Sequence, residues 1–276
     1  MDINFGKYAV PHTLQKLSDL QEEIGDTEHF YLGFNFYLTL DNFRYFNTPA
    51  DVVVFGHIGM DGVHYGLLTD FGTVNDLEGA MVVCVCPMDF DRPNRIVAKN
   101  IRGFLRVNLT DPELLYNTFK SEKSYLDSRK RWVEDHANSP FQPSEDHRLI
   151  KTTLQGWLKE NIKMPVINNR YRYVQNVLME RLKTVTIPTQ DAIGVTYPMP
   201  AGVEHTAFPL DKYKNLDLDS LREYLDSAPV ASKYALFRNI QASYILGQQP
   251  ELQNVIFKEM YHLGLVDEVK RLSIEI

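Results

Sequence analysis

Asp51-Val52-Val53-Val54-Phe55-Gly56, followed by Asp61-Gly62-Val63-His64-Tyr65-Gly66-Leu67-Leu68, is the stretch that decides the fold class. Two short runs of β-branched, aromatic and aliphatic residues flank an Asp-Gly pair, which tolerates the positive φ angles of a tight hairpin. The pattern predicts strands over 52–55 and 63–68, and a third apolar run predicts another over 81–85. Upstream, Phe30, Leu32, Phe34, Phe36, Leu38 and Leu40 alternate with Tyr31, Gly33, Asn35, Tyr37, Thr39 and Asp41. That period of two predicts a strand over 30–40 with one core face and one partly wet face.

Helical spacing dominates on either side. Leu14, Leu17, Leu20 and Ile24 predict a helix over 11–24 that Gly25 ends. Beyond Pro93, Ile96, Val97, Ile101, Phe104 and Leu105 form one apolar stripe, which predicts a helix to about Val107. Arg95, Lys99, Arg102 and Arg106 then share its opposite face. Asp111-Pro112-Glu113 is a helix start, with an acid at the cap and proline in the first turn. Helices are expected over 112–136, 145–162, 169–184, 218–227, 231–246, 250–263 and 265–273. Pro188, Pro198, Pro200 and Pro209 mark 185–210 as an irregular connector. The expectation is an α+β fold with a single mostly antiparallel or mixed sheet flanked by helices, followed by a helical C-terminal extension. The boundary is placed at 110/111, giving a 1–110 domain and a 111–276 helical region.

Charge is unevenly spread. The chain of 276 residues has a formal net charge of −7, yet residues 17–91 hold thirteen acids and one base, Arg44, a local −12. Nucleic-acid binding rests on neutralising phosphates with Lys and Arg, so this segment argues against a nucleic-acid ligand and for a basic protein partner. No apolar run reaches the roughly 20 residues of a membrane span. The start, MDINFGKYAV, lacks a basic stretch followed by an apolar one, and Cys84 and Cys86 are too few for a disulfide framework. The expected setting is the cytoplasm.

Catalytic signatures are absent: no G-x-S-x-G elbow, no G-x-x-x-x-G-K phosphate loop, no H-E-x-x-H and no G-x-G-x-x-G. His57, Asp61 and His64 have side chains suited to a metal or to acid–base work, but Asp61 is needed by the turn and the two histidines flank the hairpin. Structural roles outweigh chemical ones there. Cys84 and Cys86 share one strand face and make at most half a metal site, so burial as small apolar side chains is the simpler reading. No enzyme activity, cofactor or metal is expected. The basic stripe is read first as a solvated helix face and second as a docking face. Among the aromatics of 30–46, the even-numbered ones are assigned to the core, and Tyr31 and Tyr37 to an interface.

The run Asn47-Thr48-Pro49-Ala50-Asp51-Val52-Val53-Val54-Phe55-Gly56, then Asp61 through Gly72, then Cys86-Pro87-Met88 and Ile96 through Leu105, resembles the SUKH superfamily. That group covers Smi/Knr-type cell-wall-regulator-like proteins and many bacterial immunity proteins. The resemblance spans about residues 10–108 and rests on turn and core positions. It implies a single α+β domain that works by binding, either neutralising a toxin domain or scaffolding a partner, and it carries no catalytic residues over. The basic residues Arg95, Lys99 and Arg102 depart from the acids that family members often have on the corresponding helix. The functional expectation is an immunity protein that occludes a basic toxin domain, with Asp51, Asp61, Asp70, Asp76 and Glu78 on an acidic sheet face beside Tyr31 and Tyr37. The alternative is a regulatory scaffold that recruits a partner or self-associates through its helical region.

Overall fold

A computed structural model describes residues 3–89, 91–210 and 216–274. Its centre is one five-stranded antiparallel meander, β1 (Tyr37–Leu38), β2 (Val52–His57), β3 (His64–Leu68), β4 (Val82–Val85) and β5 (Asn94–Ala98), paired in chain order. The hairpin turns where the sequence indicated, with Asp61 at φ +50° and Gly62 at φ +67°. The strands are buried along nearly their whole length. Both faces of the sheet are covered, so the strands read as near-continuous apolar runs. Val53, Phe55, Tyr65, Leu67, Val82, Cys84 and Val97 point into the larger core, while Val52, Leu68, Val83, Val85 and Ile96 meet Val177 and Ile193 on the other side.

The larger core is closed by helices from both ends of the chain. α1 (His12–Ile24) ends at Gly25, whose φ of +66° is the left-handed cap the sequence indicated. The first part of the strand expected over 30–40, residues 30–34, instead belongs to α2 (Thr27–Phe34). Asp26 caps it by accepting from the amides of Glu28 and His29, and Asn35 ends it at φ +58°. Phe30 and Phe34 satisfy a helical i,i+4 spacing as well as an alternation, and the cap decides between the two. Only Tyr37 and Leu38 remain for the edge strand. The helix expected from Pro93 onward is likewise split. Residues 94–98 form β5, and α3 (Ile101–Asn108) starts only at Asn100, whose side chain accepts from the Gly103 amide. Arg95 therefore lies on a strand and Arg102 and Arg106 on a helix, so the four bases share no helix face.

The helix expected over 112–136 is interrupted. α4 (Glu113–Tyr116) is a single turn, and α5 (Glu122–Asn138) begins at a reciprocal cap between Ser121 and Ser124. Then follow α6 (Glu145–Asn161), α7 (Arg170–Thr184), α8 (Leu218–Ser227), α9 (Val230–Ala242), α10 (Pro250–His262) and α11 (Val266–Leu272), close to the expected spans. Residues 185–210 are irregular apart from one bridge between Ile187 and Val195. Tyr125, Leu154, Leu158, Ile162, Ile167 and Val174 belong to the same core as the sheet. At Gly33 of α2 an added Cβ would stand 2.7 Å from Leu154 of α6, so only glycine permits this approach. The expected boundary at 110/111 thus falls inside a continuous core. A second core joins α8 to α11 and reaches Ala50 and Phe71 of the sheet region.

Candidate functional site

The acids of the expected partner face separate into two groups. Asp51 is fully buried, with its Oδ2 held at 2.5 Å by Nη2 of Arg238 on α9, and is no surface residue. Burial raises its pKa, and Asp70 and Asp191 add to the rise, while Arg238 opposes it. Asp70 takes a two-pronged hydrogen bond from Arg181 of α7, at 2.6 and 2.7 Å. Burial acts to raise the Glu78 carboxyl, but hydrogen bonds from Thr13 and Arg102 outweigh it and hold the group below its usual range. Three of the thirteen acids of this segment, Asp51, Asp70 and Glu78, are therefore neutralised by arginines from later in the chain. Asp61 and Asp76 remain exposed, Asp61 in the hairpin turn and Asp76 capping a short 3-10 turn at Leu77–Gly79.

Tyr31 and Tyr37 are both half-buried, and their rings stack with centroids 4.6 Å apart. The stack continues from Tyr37 to His57 at 5.2 Å, and from His57 to Phe43 at 4.6 Å. The Tyr37 hydroxyl donates to the Glu28 carboxylate at 2.9 Å. Four partly exposed rings thus run along the β1 edge of the sheet, drawn from α2, β1, β2 and the 41–46 segment. Asp26, Glu28, Asp41 and Asp61 stand on the same elements and their connecting turns. As members of an aromatic face, His57 and Phe43 escape sequence reasoning because the four rings lie on four different segments. Only the edge register, which pairs Tyr37 with His57, brings them together. Phe30, Phe34 and Phe36 are core as expected, whereas Phe46 is 53% exposed.

His57 and His64 are register partners across the hairpin, but Phe43 contacts both rings and lies between them. Among the described residues, no group of three His, Cys, Asp or Glu side chains stands where it could hold a metal ion. His64 is buried, with Nδ1 2.7 Å from the Gly62 carbonyl and Nε2 2.9 Å from the Thr48 hydroxyl. The first contact fixes the proton on Nδ1, since a carbonyl can only accept. Burial pushes the His64 pKa down to about 4. As pH falls from the ordinary histidine value of ~6.5 toward 4, the unfolded chain takes up a proton that the folded chain refuses, so stability is lost over that window. Urea unfolding at pH 7 and pH 4.5 should show about 2–3 kcal/mol of pH-dependent loss in the wild type that His64→Gln no longer shows.

Cys84 and Cys86 are free thiols with their sulfurs 3.7 Å apart. Cys86 also receives a hydrogen bond from Nη2 of Arg95 at 2.9 Å. The contact from Cys84 and the guanidinium together lower the Cys86 pKa to about 7, while burial raises that of Cys84. Arg95 reaches on to the Tyr116 carbonyl and the Thr118 hydroxyl. Lys99 pairs with Glu180 at 3.6 Å and Arg102 with Glu78 at 2.9 Å. Three of the four bases expected on one helix face, Arg95, Lys99 and Arg102, instead pair with three different segments.

No protein-family model matches the chain, and no curated protein matches it. The site must be read from its own geometry. Among the described residues no helix is long and apolar enough to cross a membrane. What the β1 edge offers chemically is the ring edges and outer faces of an aromatic stack beside carboxylates, an arrangement complementary to guanidinium groups.

Proposed function

We propose that this chain is a non-enzymatic protein-binding module that captures a basic protein partner on the aromatic and acidic β1 edge. The observation that carries the reading is the half-exposed ladder of Tyr31, Tyr37, His57 and Phe43 with Glu28 bonded to its centre. A partner arginine stacked on an outer ring of such a ladder gains about 0.5–2 kcal/mol, and the flanking acids steer its approach. Tyrosine gives large contact area at low entropic cost, which is why it anchors interfaces. In its finer form the proposal is an immunity protein of the SUKH type, working in the cytoplasm by occluding a toxin domain. The free thiols and the resemblance around Asp51–Gly72 support that form.

The test is titration of the purified chain with the product of the neighbouring open reading frame at low and at high salt. Binding should weaken with salt, and Tyr37→Ala combined with His57→Ala should weaken it at least tenfold while the unfolding midpoint of the free protein shifts little. No binding, or binding indifferent to these two rings, would overturn the proposal. A second reading is self-association through the helical region. Leu126 and Val133 of α5 and Leu149 of α6 favour it, being 50%, 62% and 66% exposed. Sedimentation of Leu149→Glu against the wild type separates the two, since only self-association responds to that change.

A further inference from the structure

Beside β5, the far edge of the sheet, a cavity of about 200 Å³ opens between the strand, the 117–119 segment and α7. A dry cavity of ~150 Å³ holds a benzene ring, so this one has room for a ring-sized body and one polar group. Its apolar wall comes from Ile96, Leu114, Phe119, Tyr171, Val174 and Leu178. Its polar side carries two guanidinium groups, Arg92 and Arg95, together with the amide of Asn94. Two polar atoms of its lining residues have no protein partner, but both are shut off from the cavity itself. The Oδ1 of Asn94, a residue only 3% exposed, accepts nothing, and the buried Nε of Arg95 donates to nothing. The rest of the Arg95 fork is spent on Cys86, Tyr116 and Thr118, so its orientation is fixed. Asp89 lies 3.8 Å from Arg95 and offsets one of the two positive charges, which leaves the pocket net positive.

We propose that this cavity binds a small amphipathic carboxylate, its anion set against Arg92 and Arg95 and its apolar body against α4 and α7. The pocket lies at the opposite edge of the sheet from the aromatic ladder, and its occupancy does not depend on the partner reading. Concave, mostly apolar sites with a few convergent polar groups are the usual form of small-molecule pockets.

The probe is 4-hydroxybenzoate, titrated into the full-length protein and followed by amide NMR shifts. Saturable shifts centred on Asn94, Arg95 and Val174 are expected, with a Kd of about 1 mM or tighter for a ligand this small. The uncharged 4-hydroxybenzamide should bind at least tenfold more weakly. Arg92→Ala, an exposed residue whose loss leaves the fold intact, should weaken 4-hydroxybenzoate about tenfold. Leu178→Trp, which fills the cavity, should abolish binding. Absence of saturation, equal binding of the benzamide, or unchanged affinity in Arg92→Ala would each overturn the proposal.

Discussion

A fragment ending at Thr110 is expected to remain unfolded, with collapsed amide dispersion and no cooperative thermal transition. The sheet is complete in such a fragment, but its core is not. Tyr125, Leu154, Leu158, Ile162, Ile167 and Val174 are all less than 9% exposed and all belong to the core that the sheet shares with α1 to α3. Burying an apolar side chain of this size stabilises by about 1.5–3 kcal/mol, so losing six removes on the order of 10 kcal/mol. A domain's whole stability is about 5–15 kcal/mol. The fragment also strands Asp51 and Asp70 without Arg238 and Arg181. Circular dichroism and proton NMR of the fragment decide the matter, and a sigmoidal melt would show that the 110/111 boundary is a domain boundary after all.

Arg238→Met should be the most damaging single substitution of a charged residue. Arg238 is 3% exposed and bridges Asp51 of the sheet to Asp191 of the irregular connector, at 2.5 and 2.9 Å, with its guanidinium carbon 5.0 Å from the centre of the Phe71 ring. Removing one partner of a buried pair leaves an uncompensated charge and typically costs about 3–5 kcal/mol. Here two carboxylates lose their partner, although Asp191 keeps the Thr189 hydroxyl and the Ile193 amide. Thermal melts should fall by roughly 10 °C for a chain of this size. Because the folded-state pKa of Asp51 is raised, protonating it relieves the variant, so the loss is smaller at acid pH and grows as pH rises through that pKa. Adding Asp51→Asn to Arg238→Met should recover part of the stability at neutral pH. If Arg238→Met melts with the wild type, the buried pair contributes nothing net to stability.

The sheet was legible in the sequence because its signals are local. Asp61-Gly62 sets a turn, and the runs at 52–55, 63–68 and 81–85 contain few residues that a helix favours. The helices from α6 onward were legible for the same reason. Two errors arose where one apolar spacing fits both periods. Phe30 and Phe34 serve a helix as well as a strand, and Ile96 and Val97 serve a strand as well as a helix. In each case the decisive mark was a cap, Asp26 or Asn100, and not the apolar pattern. The site was less legible. Exposure of Asp61 and burial of Asp51 are invisible to a charge count, because the count does not know that Arg238 sits 187 positions later in sequence and in direct contact. The ring ladder depends on register between short segments, which no local window contains.

The long-range clamps also set a timetable for synthesis. Arg271 of α11 donates to the carbonyls of Asn4 and Ala50, and Arg238 meets Asp51. At about 5–20 residues per second, some 10–40 s separate the appearance of Asp51 from that of Arg238 on the ribosome. Throughout that interval Asp51 has no partner, and until α7 emerges the sheet face of Val52, Leu68, Val83, Val85 and Ile96 has no Val177 to cover it. The native state is therefore reached only after α11 has been made, and the emerging chain depends on whatever keeps unfinished sheets apart until then.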